Sequence, residues 1–164
     1  MMRSSGLSPN IDEITTAMNA NMLKNVNQLL EEFVAHAGLA SLYLDDDGYA
    51  GLGVNEEFVS LMLDQANETL LLMAPVGEAP TTAEVYARLL DANLFFAETG
   101  GCTLARDPEN EMIVLQLQLP LETLNVSRLE TGLTTIAGVV VSVRQTLLSD
   151  NVGAATDVTE SAGI

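Results

Sequence analysis

Residues 89–96 read LLDANLFF, and the interpretation of the rest of the chain depends on this stretch. It ends a segment whose apolar residues recur at helical spacing and whose start carries the capping-box pattern Thr81-x-x-Glu84. We therefore predict an amphipathic helix over 81–96. Its apolar side is too wide for a helix that rests only on a sheet, so it needs a second contact. A second copy of the chain is one way to supply that contact, and an ordinary core position is the other.

The composition limits the classes of function. The chain has 6 Lys+Arg against 23 Asp+Glu, a formal net charge of −17, and 48% of its residues are hydrophobic. Nucleic-acid binding depends on Lys and Arg that neutralise phosphates, so we expect no nucleic-acid partner. No stretch reads as the roughly 20 apolar residues of a spanning helix, so we expect no membrane insertion. A strongly acidic surface keeps a protein soluble while it exposes an apolar patch.

Periodicity and turn signals predict three helices and about five strands. A helix over 21–37 is followed by three strands, the helix over 81–96, a two-stranded hairpin and a last helix. The order α-β-β-β-α-β-β-α with short hairpin turns makes the class α+β, with a twisted, mostly antiparallel sheet. Residues 39–44 also read as a strand.

The chain divides into three predicted sections. Residues 1–20 form an N-terminal extension, 21–149 form one domain, and 150–164 form a disordered acidic tail, since the tail has too few large apolar residues to repay its ordering entropy. The single cysteine excludes an internal disulfide framework and fits a reducing cytoplasm.

The sequence offers little for catalysis. Cys102 has no His or Lys within a few residues to lower the pKa of its thiol, and His36 falls near the end of the first predicted helix. The run Asp45–Asp47 lacks the alternating ligands and the final glutamate of a calcium loop, so we expect no metal. There is also no glycine-rich phosphate loop, so we expect no cofactor and no enzymatic activity; a hydrolase or transferase is the least favoured reading.

Several stretches accompany LLDANLFF and the AETGG that follows it, in a fixed order. They are LLEEFVAHAGL at 29–39, DDDG at 45–48, LMLDQANETLLLMAPVG at 61–77 and IVLQLQLPLETL at 113–124. Together they resemble the CesT-type (Tir chaperone) family, the class I chaperones of bacterial type III secretion, over residues 29–148.

This resemblance implies a cytoplasmic bacterial chaperone. It would bind the non-globular N-terminal segment of one or more secreted effectors, keep it soluble and export-competent, and deliver it to the secretion ATPase or sorting apparatus. The resemblance also implies a homodimer with the helix over 81–96 at the two-fold interface, and our candidates for that contact are Leu89, Leu90, Asn93 and Phe96. The alternative is a roadblock-like dimeric scaffold inside a larger complex.

The resemblance further implies where the effector binds. Its segment would lie in grooves built by the first helix and the adjoining strands, here 21–37 and 39–54, and would add a strand at an exposed sheet edge. The periodicity selects five effector-binding candidates, each of which could equally be core: Leu29, Phe33, Leu42, Leu44 and Leu52.

Overall fold

The computed structural model describes residue 8 and residues 10–148, and it has the predicted α+β class. The predicted tail over 150–164 lies outside the described residues, as do residues 1–7 and 9 of the predicted extension. Three α-helices and five strands make up the described chain. They are α1 (Ile11–Ala37), β1 (Tyr49–Val54), β2 (Glu57–Asp64), β3 (Thr69–Glu78), α2 (Ala83–Ala92), β4 (Thr103–Asp107), β5 (Met112–Pro120) and α3 (Val126–Val143).

The strands form one antiparallel sheet in the order β1-β2-β3-β5-β4, so β1 and β4 are its edges. Alternate residues of each strand face the core, as the two-residue period of a strand requires. On β3, for example, Leu70, Leu72 and Ala74 are buried. α3 packs against β3 and β5 on this inner face, and α1 packs against α3.

α3 is the main core helix. Its spacing predicts one apolar stripe, and the structure confirms that Leu129, Leu133, Ile136, Val140 and Val143 are buried. The span 126–146 is also long and apolar enough to cross a membrane by length and composition, which our sequence reading missed. Because its apolar stripe packs on the sheet, we interpret it as the core helix of a globular domain.

α1 begins at Ile11 rather than at Asn21, where the low helix propensity of the preceding Asn- and Thr-rich stretch had placed the start. A capping box explains the difference. The Asn10 side chain accepts the Glu13 N–H at 2.8 Å, and the Glu13 carboxylate accepts the Asn10 N–H at 3.3 Å. Such reciprocal bonds satisfy two unpaired donors of the first turn. Residues 11–20 of the predicted extension are therefore continuous with the first helix of the domain.

The strand predicted over 39–44 is wrong, because this segment has no ladder partner. Instead of a neighbouring strand, the Asn27 side chain on α1 bonds this segment. Its amide N–H donates to the Leu44 C=O at 3.1 Å, and its amide oxygen accepts from the Leu44 N–H at 2.7 Å. Leu42 and Leu44 are buried. The Asn27 side chain of α1 thus holds residues 39–44 against the core.

α2 is shorter than predicted at both ends. It begins after Thr82, which makes no side-chain cap, so the predicted capping box at Thr81 is wrong. It ends at Ala92, and residues 94–96 form a separate 3₁₀ turn. Asn93 explains the break: its side-chain amide donates to the Leu104 C=O at 3.1 Å and its carbonyl accepts the Leu104 N–H at 2.8 Å. The chain is thereby tied to β4 at the point where the helix stops.

Candidate functional site

A groove of about 660 Å³ runs beside α1, between this helix, the β2–β3 turn and the turn after β5. The backbone N–H of Leu121 donates to the Glu68 C=O at 2.9 Å and holds the two turns together. We call this cavity the α1 groove. Its floor consists of Met22, Val26, Leu29, Leu121 and Leu124, and its carboxylates are Glu32, Glu68 and Glu122.

The five predicted effector-binding residues do not lie on one surface. Leu29 is half-buried and lines the α1 groove, and Leu52 is half-buried on edge strand β1. Phe33, Leu42 and Leu44 are buried in the core, so they support the surface from below. Helical spacing alone cannot distinguish a groove residue from a core residue here, because Leu29 and Phe33 are four residues apart on the same side of α1.

A second cavity of about 680 Å³ lies on the other side of α1, against residues 40–43. We call it the Tyr43 cavity, after the exposed tyrosine at its edge. Its charged lining residues are Lys24 and Glu31, one of each sign. The two cavities thus differ in charge, since the charged residues of the α1 groove are all carboxylates.

β1 presents an open sheet edge, since among the described strands it pairs with β2 alone. The Leu63 N–H donates to the Gly48 C=O at 2.8 Å. Hydrogen-bonded pairs alternate along an antiparallel ladder, so the backbone groups of Gly51 and Gly53 point toward the open edge. A Cβ at Gly51 would lie 2.8 Å from the ring of the exposed Phe58, so a larger residue at this position would require that ring to shift. The edge is therefore a template for one more strand.

A patch of large apolar side chains covers the end of α2 and the turn after it. We call it the α2 patch; its members are Leu90, Leu94, Phe95 and Phe96, between 51% and 86% exposed. Phe95 and Phe96 have φ of 58° and 56°, the left-handed region that L-residues other than Asn, Asp and Gly seldom adopt. Two neighbouring aromatic residues are thus held outward by strained backbone.

The predicted dimer residues, like the predicted effector-binding residues, do not lie on one surface. Leu90 and Phe96 belong to the α2 patch, whereas Leu89 is buried in the core of its own chain. The polar side chain of Asn93 is satisfied by Leu104 within the chain, so it needs no partner from a second copy. Helical spacing did not select Leu94 and Phe95, because the predicted helix ran through residues that in fact form the 3₁₀ turn.

The reactive residue types are poorly placed for catalysis. Cys102 is buried, and loss of solvation raises the pKa of its thiol to about 11, so it stays protonated at neutral pH. The exposed His36 lies 3.8 Å from the Glu130 carboxylate, between Nε2 and Oε2. Within residues 10–148, no group of three or more His, Cys, Asp or Glu is arranged to hold a metal ion.

Chains of solved protein complexes share this arrangement of three helices and five antiparallel strands. A chain in the crystal structure of the ExsC–ExsE complex aligns with a TM-score of 0.67 and 26% identity, over 76% of this chain and 95% of that chain. A chain in the HopA1–SchA chaperone–effector complex aligns with a TM-score of 0.66, over 77% of this chain and 97% of that chain. The second match is 22% identical and shows the fold alone.

The chain belongs to the Tir chaperone protein (CesT) family, whose model matches residues 28–144. The Tir chaperone of Escherichia coli O157:H7 is 28% identical over 103 residues, which cover 62% of this chain and 66% of that protein. The match therefore spans slightly less than two thirds of that relative. The family resemblance of the sequence is confirmed, and residues 11–27 of α1 precede the matched region.

Proposed function

We propose that this protein is a type III secretion chaperone. It binds the non-globular N-terminal segment of one or more secreted effectors and keeps that segment soluble and competent for export. The observations that carry the proposal are the apolar α1 groove and the open edge of β1, in a fold shared with a chain of a chaperone–effector complex. A relative that is itself named a Tir chaperone supports it.

Groove and edge make complementary contributions to such binding. The apolar floor around Leu29 receives side chains of the effector segment. At the edge of β1, the backbone groups of Gly51 and Gly53 pair with the segment as an additional strand, and such pairing requires little of the segment's sequence. Ordering an unfolded segment costs about 2–5 kcal/mol. Each fully buried large apolar side chain contributes about 1.5–3 kcal/mol, so two or three anchors are needed before net affinity appears.

We propose that the protein works as a homodimer that pairs through the α2 patch. Non-glycine residues at positive φ cost about 1–3 kcal/mol each, and they persist only where the surrounding structure holds them in place. A second copy packed on Phe95 and Phe96 provides such surroundings and removes the exposed aromatic surface from water. A stable interface of this kind buries about 1,600 Å² in total.

The remaining parts of the proposal concern the cellular setting. We place the protein in the bacterial cytoplasm, where it delivers its effector to the secretion ATPase or sorting apparatus, and we assign it no catalytic activity and no cofactor. Membership of a chaperone family and the buried, protonated Cys102 support the non-enzymatic part.

Affinity capture from the native cytoplasm, followed by mass spectrometry, tests the proposal. We expect one or a few secreted proteins, each retained through an N-terminal fragment that is unfolded on its own. Leu29→Asp should abolish capture because it places a charge on the groove floor. Val141→Asp, at an exposed apolar residue of α3, is the matched control and should capture normally.

Two outcomes would contradict the proposal. Capture of a folded subunit of a cytoplasmic complex would favour the roadblock-like scaffold instead. Normal secretion of the captured protein from cells that lack this chain would show that export does not depend on it.

A further inference from the structure

The carboxylates of the α1 groove come from three separate parts of the fold. Glu32 is on α1, Glu68 is in the β2–β3 turn, and Glu122 is in the turn after β5. All three are exposed. Among the residues that line this groove within the described chain there is no Lys or Arg, and the ion pairs between described residues involve other carboxylates. Fold topology thus brings three carboxylates, none of them in an ion pair within the described residues, around one apolar floor. Near them, the Arg128 guanidinium donates to Thr123 Oγ1 at 3.2 Å, beside Glu122 in the chain, so the negative charge at Glu122 is partly offset.

The apolar floor also continues beyond the groove along α1. Ile11 and Leu29 are 18 residues apart, which is five turns of an α-helix, so they lie on the same side of it. Between them Ile14, Met18 and Met22 keep to that side, and the first two are exposed. The groove therefore opens onto an apolar stripe about 27 Å long.

From this combination we propose that the α1 groove takes an apolar stretch flanked by Lys or Arg. The inference rests on the proposed function and specifies the chemistry of the bound segment. Apolar side chains fill the floor near Leu29, and the flanking cations lie against Glu32, Glu68 and Glu122. A segment with acidic flanks is repelled by the same carboxylates and by the net charge of −17. The Tyr43 cavity, with Lys24 beside Glu31, lacks this selectivity.

Three synthetic peptides of equal length test the inference on the full chain. They share the same Leu and Ile anchors and differ only in flanks of Lys, Ser or Glu, and fluorescence anisotropy measures their affinities at low and high salt. Three partly exposed ion pairs should make the Lys peptide bind about tenfold more tightly than the Ser peptide at low salt. The Glu peptide should bind most weakly. Salt should reduce these differences, because it screens exposed charges.

Two triple variants separate a local effect from the effect of net charge. Glu32→Gln, Glu68→Gln and Glu122→Gln together should remove the preference for Lys flanks. Glu56→Gln, Glu84→Gln and Glu109→Gln change the net charge equally at exposed positions outside the groove, and this control should keep the preference. Circular dichroism checks that both variants are folded, which the exposure of all six side chains favours.

The inference is overturned if the Lys and Ser peptides bind the wild-type chain equally well, or if the control variant loses the preference as fully as the groove variant does. The absence of saturable binding by all three peptides overturns it too. These failures are distinguishable from failure of the proposed function. If a captured effector segment still binds and Leu29→Asp still abolishes that binding, the chaperone proposal stands and only the charge selectivity is wrong.

Discussion

The α2 patch and the α1 groove are both apolar, but they differ in shape, exposure and charge. The patch projects Leu90 from the last turn of α2 and Phe95 from strained backbone, and its side chains are at least half exposed. The groove is concave, its floor is half-buried, and carboxylates surround it. An exposed aromatic patch is a liability whenever it stands uncovered. A half-buried groove with charged edges exposes less apolar surface, so it can remain empty without promoting aggregation. The comparison suggests a permanent partner for the patch and a transient one for the groove.

Leu90→Asp should have the largest effect of the substitutions considered, because it should weaken the dimer. Each dimer contains two copies of Leu90, and full burial of such a side chain contributes about 1.5–3 kcal/mol, so the dimer should weaken by about 3–6 kcal/mol, or roughly 10²- to 10⁴-fold. Light scattering should give twice the chain mass for the wild type at micromolar concentration and a lower mass for the variant.

Ile11→Asp is the matched control for the dimer, because Ile11 is also an exposed apolar residue but lies on α1. It should remain dimeric. A wild-type chain that is monomeric under these conditions would refute the role assigned to the α2 patch, and so would a Leu90→Asp variant that stays dimeric.

Phe33→Ala should have the next largest effect, and it should act on the stability of the fold. Phe33 is buried in the core, and truncating a buried Phe costs about 3–5 kcal/mol of unfolding free energy. We expect a clear fall in melting temperature by circular dichroism, whereas Leu29→Ala, one turn away and half-buried, should change it much less. Loss of partner binding by Phe33→Ala with an unchanged melting temperature would instead mean that Phe33 contacts the partner directly.

Glu57→Gln should have the smallest effect and leave both surfaces unchanged. The Arg144 guanidinium donates to both Glu57 oxygens at 2.8 and 3.0 Å and, through Nε, to the Val76 C=O at 2.9 Å. The hydrogen bond from Arg144 lowers the pKa of Glu57 below its ordinary value of 4.5. Because the pair is partly solvated, it should contribute at most about 1 kcal/mol.

The sign of the pH dependence follows from that lowered pKa. The contribution of the Glu57–Arg144 pair is fully present above the pKa of Glu57 in the unfolded chain and is lost as the pH falls through the lower, folded value. Denaturant titrations should therefore separate wild type from Glu57→Gln at pH 7 and bring them together in strong acid. A difference that persists undiminished in acid would rule out the ion pair as its cause.

The sequence predicted the core better than the surfaces. The stripe on α3 was correct because a helix packed on a sheet must repeat its apolar residues every three or four positions. The sequence could not tell a groove residue from a core residue on α1, since Phe33 and Leu29 share a side of this helix and only the depth of packing distinguishes them. Glu68 and Glu122 are 54 positions apart in sequence (122 − 68), and only the hydrogen bond that joins their two turns shows that they share a groove.

Periodicity did not predict the α2 patch, and the reason is different. The spacing of residues 85–96 continues through the break at Asn93, so periodicity alone extends the helix to Phe96. The break depends on the bonds of Asn93 to Leu104, a contact with a strand that comes later in the chain. Such tertiary contacts override local pattern, and the left-handed backbone at Phe95 follows two residues after this break.

Hydrogen exchange of the full-length dimer, with and without a captured effector segment, tests most directly whether the two surfaces have different occupants. The account predicts that added segment slows exchange in β1, at Gly51 and Gly53, and along the α1 groove. It predicts no change at Phe95 and Phe96, because a second copy already covers them. Slower exchange at the α2 patch, with none at β1 or the groove, would contradict the account.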